Sequence, residues 1–488
     1  MSNQKEDYCH ILKYTSLFGG VQGLNVLVGL VRNKFVALFL GPDGMGLVSL
    51  FNTTVQLISQ ATHLGISVSA VKHISEYYDA GDTENVAHFV KVIRGWSFLT
   101  ALLGMMVCIV AGPFLSNIIF SWGDHTLHFV LLAPSVGMIA ITGGETAILK
   151  GQRMLGALAI VQIVAALASL VVAIPIYYFF WQAGIVPVIV LMAFVTMCAT
   201  LWFSLRIFPL QIRGAQGILG EGMGMIRLGI AFTLAGIVGS GAEMFIRSFL
   251  NVSGSLDTVG LYNAGYMITI TYAGLVFAAM ESDYYPRLSS VNQNVEATNQ
   301  MVNKQMEVSI LTISPLLTAL VILLPVLIPM LFTSQFLPIV AMTQVAALAM
   351  FFKAMTLPVA YITLARGFSL TYLVLESSYY VALVLFVIVG YRNWGIWGTG
   401  LAITLAHLAE FLVINGYARW RYLYKQSSTV MKYGSTHLLI GLSAYILTIT
   451  VDEVAYWLLG GVLIVVSLSF SLWVLNQKRK SSSTSTRL

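Results

Sequence analysis

Apolar runs of about 20 residues recur along the whole chain, at 13–39, 45–70, 92–119, 127–149, 156–181 and 185–205. A polar stretch follows, RIFPLQIRGAQGILGEGMGMIR, residues 206–227. The runs then resume at 228–251, 259–280, 308–333, 338–364, 370–391, 396–418, 434–451 and 454–475. At about 1.5 Å per helical residue, each is long enough to cross a hydrocarbon layer of about 30 Å. The pattern predicts an all-α polytopic membrane protein of about fourteen transmembrane helices. Residues 1–205 form an N-terminal six-helix lobe, 206–227 a linker on the cytoplasmic side, and 228–425 a second six-helix lobe. Residues 426–488 add two helices and a tail, SSSTSTRL, whose low complexity predicts disorder.

The polar positions inside these runs are not scattered. In the first span Gln22, Asn25, Gly29 and Arg32 are spaced by three and four, one face of a helix. Thr233, Gly236, Ser240, Glu243 and Arg247 repeat the rhythm in the seventh span, and Asn52, Gln56, Ser59, His63 and Ser67 in the second. A water-filled cavity accounts for such stripes, and so does hydrogen-bonding glue between packed helices.

The two halves also echo each other. Gly46-Leu47 recurs as Gly260-Leu261, 214 residues on; Leu149-Lys150-Gly151 as Ala365-Arg366-Gly367, 216 on; Gly184-Ile185 as Gly395-Ile396, 211 on. Six spans per repeat is an even number, so both halves share one orientation and are related by an axis along the membrane normal. That places a central cavity between two parallel repeats, with the last two helices outside them. Arg32 maps within one residue of Arg247, and the symmetry predicts that the two face each other across the axis.

Composition confirms the solvent. The 488 residues are 58% hydrophobic and 9% charged, far below the roughly 25% charge of soluble domains. The net charge of +6 points to topology and not to nucleic acid. Placing both termini in the cytoplasm puts 21 of the 26 basic residues, Lys72 to Arg94 among them, in cytoplasmic loops, tails or flanks, and the SWGDHT loop outside. Arg392 falls outside, and Arg32, Lys34, Arg247 and Lys353 remain within spans. The N-terminus lacks a cleavage site, so the first segment is expected to insert as a permanent helix. The three cysteines show neither metal nor disulfide spacing.

Burying a charge at bilayer depth costs about 3 kcal/mol on insertion scales, so the intramembrane charges are candidates for function. Arg32, Arg247, Lys34 and Lys353, with Gln22, Asn25, Asn52, Gln56 and Ser240, form the candidate cavity lining for an anionic cargo. Glu145, Glu243, Glu376 and His63 are candidates for coupling to a proton or sodium ion, and Glu410 is a further intramembrane acid. Gly143-Gly144, just before Glu145, is a point where the backbone can open. The bland readings are equally concrete. Glu243 and Arg247, four apart with the acid first, form a local ion pair; His63 and His407 are hydrogen-bonded interior histidines; Lys34 snorkels to the interface; Lys353 pairs with one of the acids. No phosphate-binding loop, zinc motif, nucleophile elbow or cofactor motif is present. A membrane-embedded glycan enzyme therefore lacks a catalytic constellation, and a transporter is expected.

Several stretches resemble a known family. Phe39-Leu40-Gly41-Pro42-Asp43-Gly44-Met45-Gly46-Leu47 is similar to the glycine-rich turn between the first two helices of Wzx-type polysaccharide flippases. Ala70 to Asp79 resembles their basic-aromatic exit from the second helix, and Ile148 to Arg153 their loop after the fourth. Asp283 to Ser289 resembles their tyrosine-proline-leucine exit from the eighth. The resemblance implies the multidrug/oligosaccharidyl-lipid/polysaccharide (MOP) exporter superfamily, two six-helix lobes lined by the first two helices of each. It implies export of an undecaprenyl-diphosphate-linked oligosaccharide, an O-antigen, capsule or common-antigen unit, across the bacterial inner membrane. Membrane lipids, a polysaccharide polymerase and chain-length proteins are the implied partners. Within the same superfamily, the alternative is a cation-coupled multidrug or small-molecule antiporter. The two C-terminal spans depart from the twelve-helix minimum of the superfamily.

Overall fold

A computed structural model describes residues 2–120, 123–210 and 218–485, with side chains at most positions from Gly20 to Lys478. The described residues are almost entirely helical, with no strand among them. In hydrocarbon this is the expected outcome, because an open chain can satisfy its own peptide groups there only by coiling. Ser121 and Trp122 of the SWGDHT loop, residues 211–217 of the linker and 486–488 of the tail lie outside the described residues.

Eight helical stretches among the described residues are long and apolar enough to cross a membrane. Three of these, 43, 53 and 54 residues long, are about double the roughly 20 residues a bilayer needs. Each is two spans joined by a tight break. The first, Gly20–Thr62 of α1 (Ser2–Thr62), breaks at Gly41, whose φ of 64° and ψ of −170° lie where a side chain is strained. Pro42 follows, its fixed φ already suited to the first turn of the next helical segment. The second stretch comprises α5 (Leu155–Phe180) and α6 (Ile185–Ile207), separated by a short turn at Trp181–Gly184. The third, α13 (Ser369–Tyr422), breaks at Gly395, φ 60°. The glycines paired by the sequence repeat, Gly184 and Gly395, thus mark equivalent turns.

Contacts divide the chain into two compact units, residues 1–260 and 261–488. In the first unit α2 (Ile66–Asp79), α3 (Thr83–Ile119), α4 (Thr126–Gly151) and α7 (Ile218–Ser253) complete the bundle begun by α1, α5 and α6. Ile66, Ala70 and Ile74 of α2 pack with Phe89, Ile93 and Trp96 of α3, Ile148 of α4 and Met225 of α7. Asp82 caps α3, its carboxylate accepting from the Asn85 amide at 3.0 Å. The helix α7 begins at Ile218, so part of the stretch 206–227 is already helical. α8 (Leu256–Tyr266) straddles the unit boundary. At its start the repeat-related glycines meet. A Cβ on Gly46 would lie 2.2 Å from the Leu256 carbonyl oxygen, and one on Gly260 1.9 Å from that of Pro42.

The second unit holds the π-turn Met267–Tyr272, α9 (Ala273–Val291), α10 (Val295–Leu331), α11 (Ile339–Ala347), α12 (Ala349–Ala365), α13, α14 (Ser428–Thr450) and α15 (Glu453–Ser485). The two C-terminal helices pack on α10: Val321 and Ile322 meet Ala444 and Tyr456, and the Tyr456 hydroxyl donates to the Ile322 carbonyl at 2.6 Å. His437 of α14 is buried and bonds Ser467 and Ser471 of α15 at 3.3 and 3.1 Å, pinning the pair. α15 runs to Ser485 and so takes in the first residues of the tail.

The structure corrects two local expectations. The span expected at 45–70 is not one helix: α1 ends at Thr62, and Leu64 (φ 53°) and Gly65 (φ 70°) turn the chain before α2. Ser67 therefore stands beyond the break from Asn52, Gln56 and Ser59. The backbone of α4 does not open at Gly143-Gly144; the helix is continuous, and the glycines make room for neighbours instead. A Cβ at Gly143 would lie 2.4 Å from the His63 ring, and one at Gly144 2.0 Å from the Ser97 hydroxyl. Arg94 is mostly buried, its side chain 16% exposed.

Candidate functional site

The most developed polar seam of the first unit runs where α7 lies along the half of α1 that follows Gly41. Small residues bring the helices together. A Cβ at Gly229 would lie 2.6 Å from the Gly65 carbonyl oxygen, and one at Gly236 2.9 Å from Gln60 Oε1. Further along, Arg247 reaches across: its Nε donates to Ser49 Oγ at 2.7 Å. Its Nη1 donates to the carbonyl and the carboxylate of Glu243, both at 3.2 Å. The Arg247 side chain is 5% exposed and that of Glu243 32%. The local ion pair that the spacing allows is therefore formed, but the guanidinium also bonds a second helix. Ser240 is half-buried one turn before Glu243, while Asn52 and Gln56, three and seven residues beyond Ser49, flank the seam and are exposed.

Arg32 sits before the Gly41 break in a different setting. It is half-buried, its Nη2 donates to Asn33 Oδ1 at 3.4 Å, and Tyr177 of α5 is within electrostatic reach. One face further back, Asn25 Nδ2 donates to Gln162 Oε1 of α5 at 3.2 Å. Gln22 is exposed and Lys34 half-buried. The stripe of the first span thus lies partly against α5, whereas that of the seventh lies along α1, and the two arginines have different partners.

Of the acids, Glu145 is 4% exposed and committed to Arg94. The guanidinium grips it through Nε at 2.8 Å and Nη2 at 3.2 Å, and also holds the Phe208 carbonyl at 2.8 Å and Ser204 Oγ at 3.2 Å. The Ser204 hydroxyl donates to the same carboxylate. This cluster ties α3, α4 and α6 together. His63 is 8% exposed and packs on Gly143.

In the second unit Lys353 of α12 and Glu376 of α13 are half-buried. Beyond Gly395, His407 is 1% exposed and accepts or donates on both sides: Tyr379 OH lies 3.2 Å from Nε2, and Glu410 Oε2 2.7 Å from Nδ1. The Tyr379 ring stacks on the imidazole, centroids 4.6 Å apart. Sequence reasoning missed Arg94, Gln162 and Ser49 as partners. Only Gln162, a polar residue alone in an apolar run, carried a signal visible beforehand.

Comparison with known proteins gives the family and the fold. Residues 11–292 match a family model described as "Polysaccharide biosynthesis protein". Over 294 residues the chain is 24% identical to the lipid III flippase of Escherichia coli (strain K12), a match covering 56% of this chain and 66% of that one. It thus spans slightly under two thirds of that relative's length. Among solved structures, the lipid II flippase MurJ in an inward closed conformation superposes with a TM-score of 0.70 at 13% identity, covering 95% of this chain and 99% of that one. A multidrug resistance MATE family transporter of the MOP superfamily in its inward-facing conformation gives 0.66 at 17% identity, covering 84% and 96%. The fold is therefore that of this superfamily, a multi-pass helical membrane protein.

Proposed function

We propose, starting from the fact that this chain belongs to the polysaccharide biosynthesis protein family, that it is a flippase for a lipid-linked oligosaccharide. Its cargo is an undecaprenyl-diphosphate-linked unit of an O-antigen, capsule or common antigen, moved across the bacterial inner membrane by alternating access. The carrying observation is Arg247. It is a nearly buried guanidinium, spanning two helices, beside the exposed amides of Asn52 and Gln56. A guanidinium is costly to bury and suits an anion such as a diphosphate. The amides offer both donors and acceptors, the chemistry that solvates sugar hydroxyls. Arg32 and Lys34 extend the positive charge along α1, and Lys353 is a half-buried cation of the second unit. The prenyl tail stays in lipid, where no polar group has to follow it. The bias of Lys and Arg supports cytoplasmic termini.

A cation-coupled drug antiporter on the same fold would need acids open to a cation. Glu145, gripped by Arg94, is poorly suited to that task. The test is glycan export in a flippase-deficient strain, with variants compared at equal membrane abundance. Arg247→Ala is expected to abolish export and Arg32→Ala to reduce it at least tenfold. Normal export by both variants overturns the reading. Dye efflux that depends on Glu243 would support the antiporter instead.

A further inference from the structure

Within the second unit, the start of α10, the loop from α13 to α14 and the end of α15 come together with their charge unbalanced. Residues 295–307, 419–434 and 474–485 hold eight Lys and Arg against two glutamates. One of the two, Glu307 of α10, is already engaged by Lys478 of α15, whose ammonium also lies 5.5 Å from the centre of the Tyr433 ring of α14. Lys304 stands one turn before Glu307, and Lys432 is next to Tyr433. Lys425 belongs to the α13–α14 loop, which is tied down on α10. Asn303 Nδ2 donates to the Lys425 carbonyl at 2.8 Å, and Asn303 Oδ1 accepts from the Ser427 amide at 2.8 Å. Asn299 Oδ1 accepts from the Lys425 amide at 3.2 Å. Lys304, Lys425 and Lys432 are exposed and make no ion pair among the described residues. In the same loop Gln426 Oε1 accepts from Arg419 Nη2 at 3.3 Å, while Gln426 Nε2 is buried without a hydrogen-bond partner among the described residues.

We infer that this surface binds the headgroup of an anionic phospholipid, seated against the two C-terminal helices. Orientation in the membrane needs basic residues in a loop but no fixed arrangement of them. Here two asparagines of α10 fix the main chain on both sides of Lys425, so that contacts with no role in topology hold the charges in place. A phosphate diester suits them, since its oxygens accept and the ammoniums act as point charges for it. Buried donors are normally paired, and a headgroup oxygen closing over the loop supplies an acceptor for Gln426. The surroundings select a lipid over free phosphate. Trp420, Leu423 and Met431 beside the loop, and Leu472 and Trp473 of α15, are exposed. Apolar surface rimmed by tryptophan is what acyl chains and the headgroup boundary meet on a membrane protein. A headgroup at this place touches α10, α14 and α15 together, and so reinforces the packing of the last two helices on the rest of the unit.

The site does not depend on the cargo proposed above, and the experiment keeps the two apart. The full chain, delipidated in detergent, is titrated with phosphatidylglycerol and with phosphatidylcholine of the same acyl chains, and bound lipid is counted by native mass spectrometry. Wild type is expected to bind the first phosphatidylglycerol at least tenfold more tightly than phosphatidylcholine. Lys304→Gln, Lys425→Gln and Lys432→Gln should each weaken that binding about fivefold and leave phosphatidylcholine unaffected. Asn303→Ala keeps every charge but frees the loop, and should also weaken it; if that variant does not fold, Asn299→Ala takes its place. Lys150→Gln, an exposed lysine at the end of α4, should change nothing. Equal affinity of wild type for the two lipids overturns the inference, and so does a loss in Lys150→Gln as large as in Lys425→Gln, which reports net charge alone. Farnesyl diphosphate is titrated in parallel. Unchanged binding of this probe in the lysine variants supports a bilayer lipid as the occupant, and a loss equal to that for phosphatidylglycerol gives the site to the cargo and overturns the inference.

Discussion

Two buried clusters, one in each unit, handle intramembrane charge in opposite ways. Around Glu145 the contacts form a fixed ion pair: Arg94 grips the carboxylate with two nitrogens and donates as well to Ser204 and the Phe208 carbonyl. Neither partner can change charge without stranding the other, and arginine does not titrate in the working range of proteins. Around Glu410 the partner is an imidazole whose other nitrogen meets a hydroxyl, a group able to donate or accept. One cluster is a fixed ion pair and the other joins a carboxylate to an imidazole and a phenol. Burial alone therefore does not say what an intramembrane charge does.

Substitution should separate the two clusters most sharply. Glu145→Gln leaves a buried guanidinium uncompensated, a change that typically costs about 3–5 kcal/mol. Glu410→Gln keeps a hydrogen bond to His407 and should cost about 1 kcal/mol. Thermal unfolding of the two variants in the same detergent gives the order directly. Replacing Arg94 and Glu145 together by leucine should recover much of the loss, and equal destabilisation by the two single changes would erase the distinction.

A change that alters packing without touching charge comes next. Gly260→Ala drives a methyl against the Pro42 carbonyl and should cost about 1–3 kcal/mol through overpacking. A melting temperature equal to wild type would show that the two main chains can part freely there. The smallest expected effect is a pH response at the exposed start of α3. Hydrogen bonds from the backbone and then the side chain of Asn85 hold the Asp82 carboxyl below its ordinary value of 3.8. The contribution of this cap is therefore complete above that value and fades as pH falls through the lower, folded one. Protection of the Asn85 amide, its exchange rate relative to an unstructured peptide at the same pH, should fall as the pH is lowered below the ordinary aspartate range, and an Asp82→Ala variant should lack the response.

The all-helical, membrane-spanning character was legible because the bilayer leaves the backbone one solution, and the bounds of α4 to α6 fall close to the apolar runs. The Glu243–Arg247 pair was legible because a four-residue spacing fixes neighbours whatever the surroundings. Contacts that depend on packing were not. Asn25 and Gln162 are 137 positions apart, Arg94 and Glu145 51, Tyr379 and His407 28. Nothing in either partner's local sequence names the other. The turn at Leu64-Gly65 was hidden for another reason: it lies inside an apolar run without proline, and hydropathy carries no information about φ.

The break in α13 has a mechanical corollary. Gly390 and Gly398 touch main chain to main chain across it, since a Cβ on either would fall 2.4 or 2.0 Å from the other's carbonyl oxygen. Tyr379 and His407 lie 11 and 9 residues down their respective arms, about 15 Å from that fulcrum at the usual helical rise. A tilt of a few degrees at the glycine apex is magnified to roughly an ångström where phenol and imidazole meet, enough to make or lose their bond.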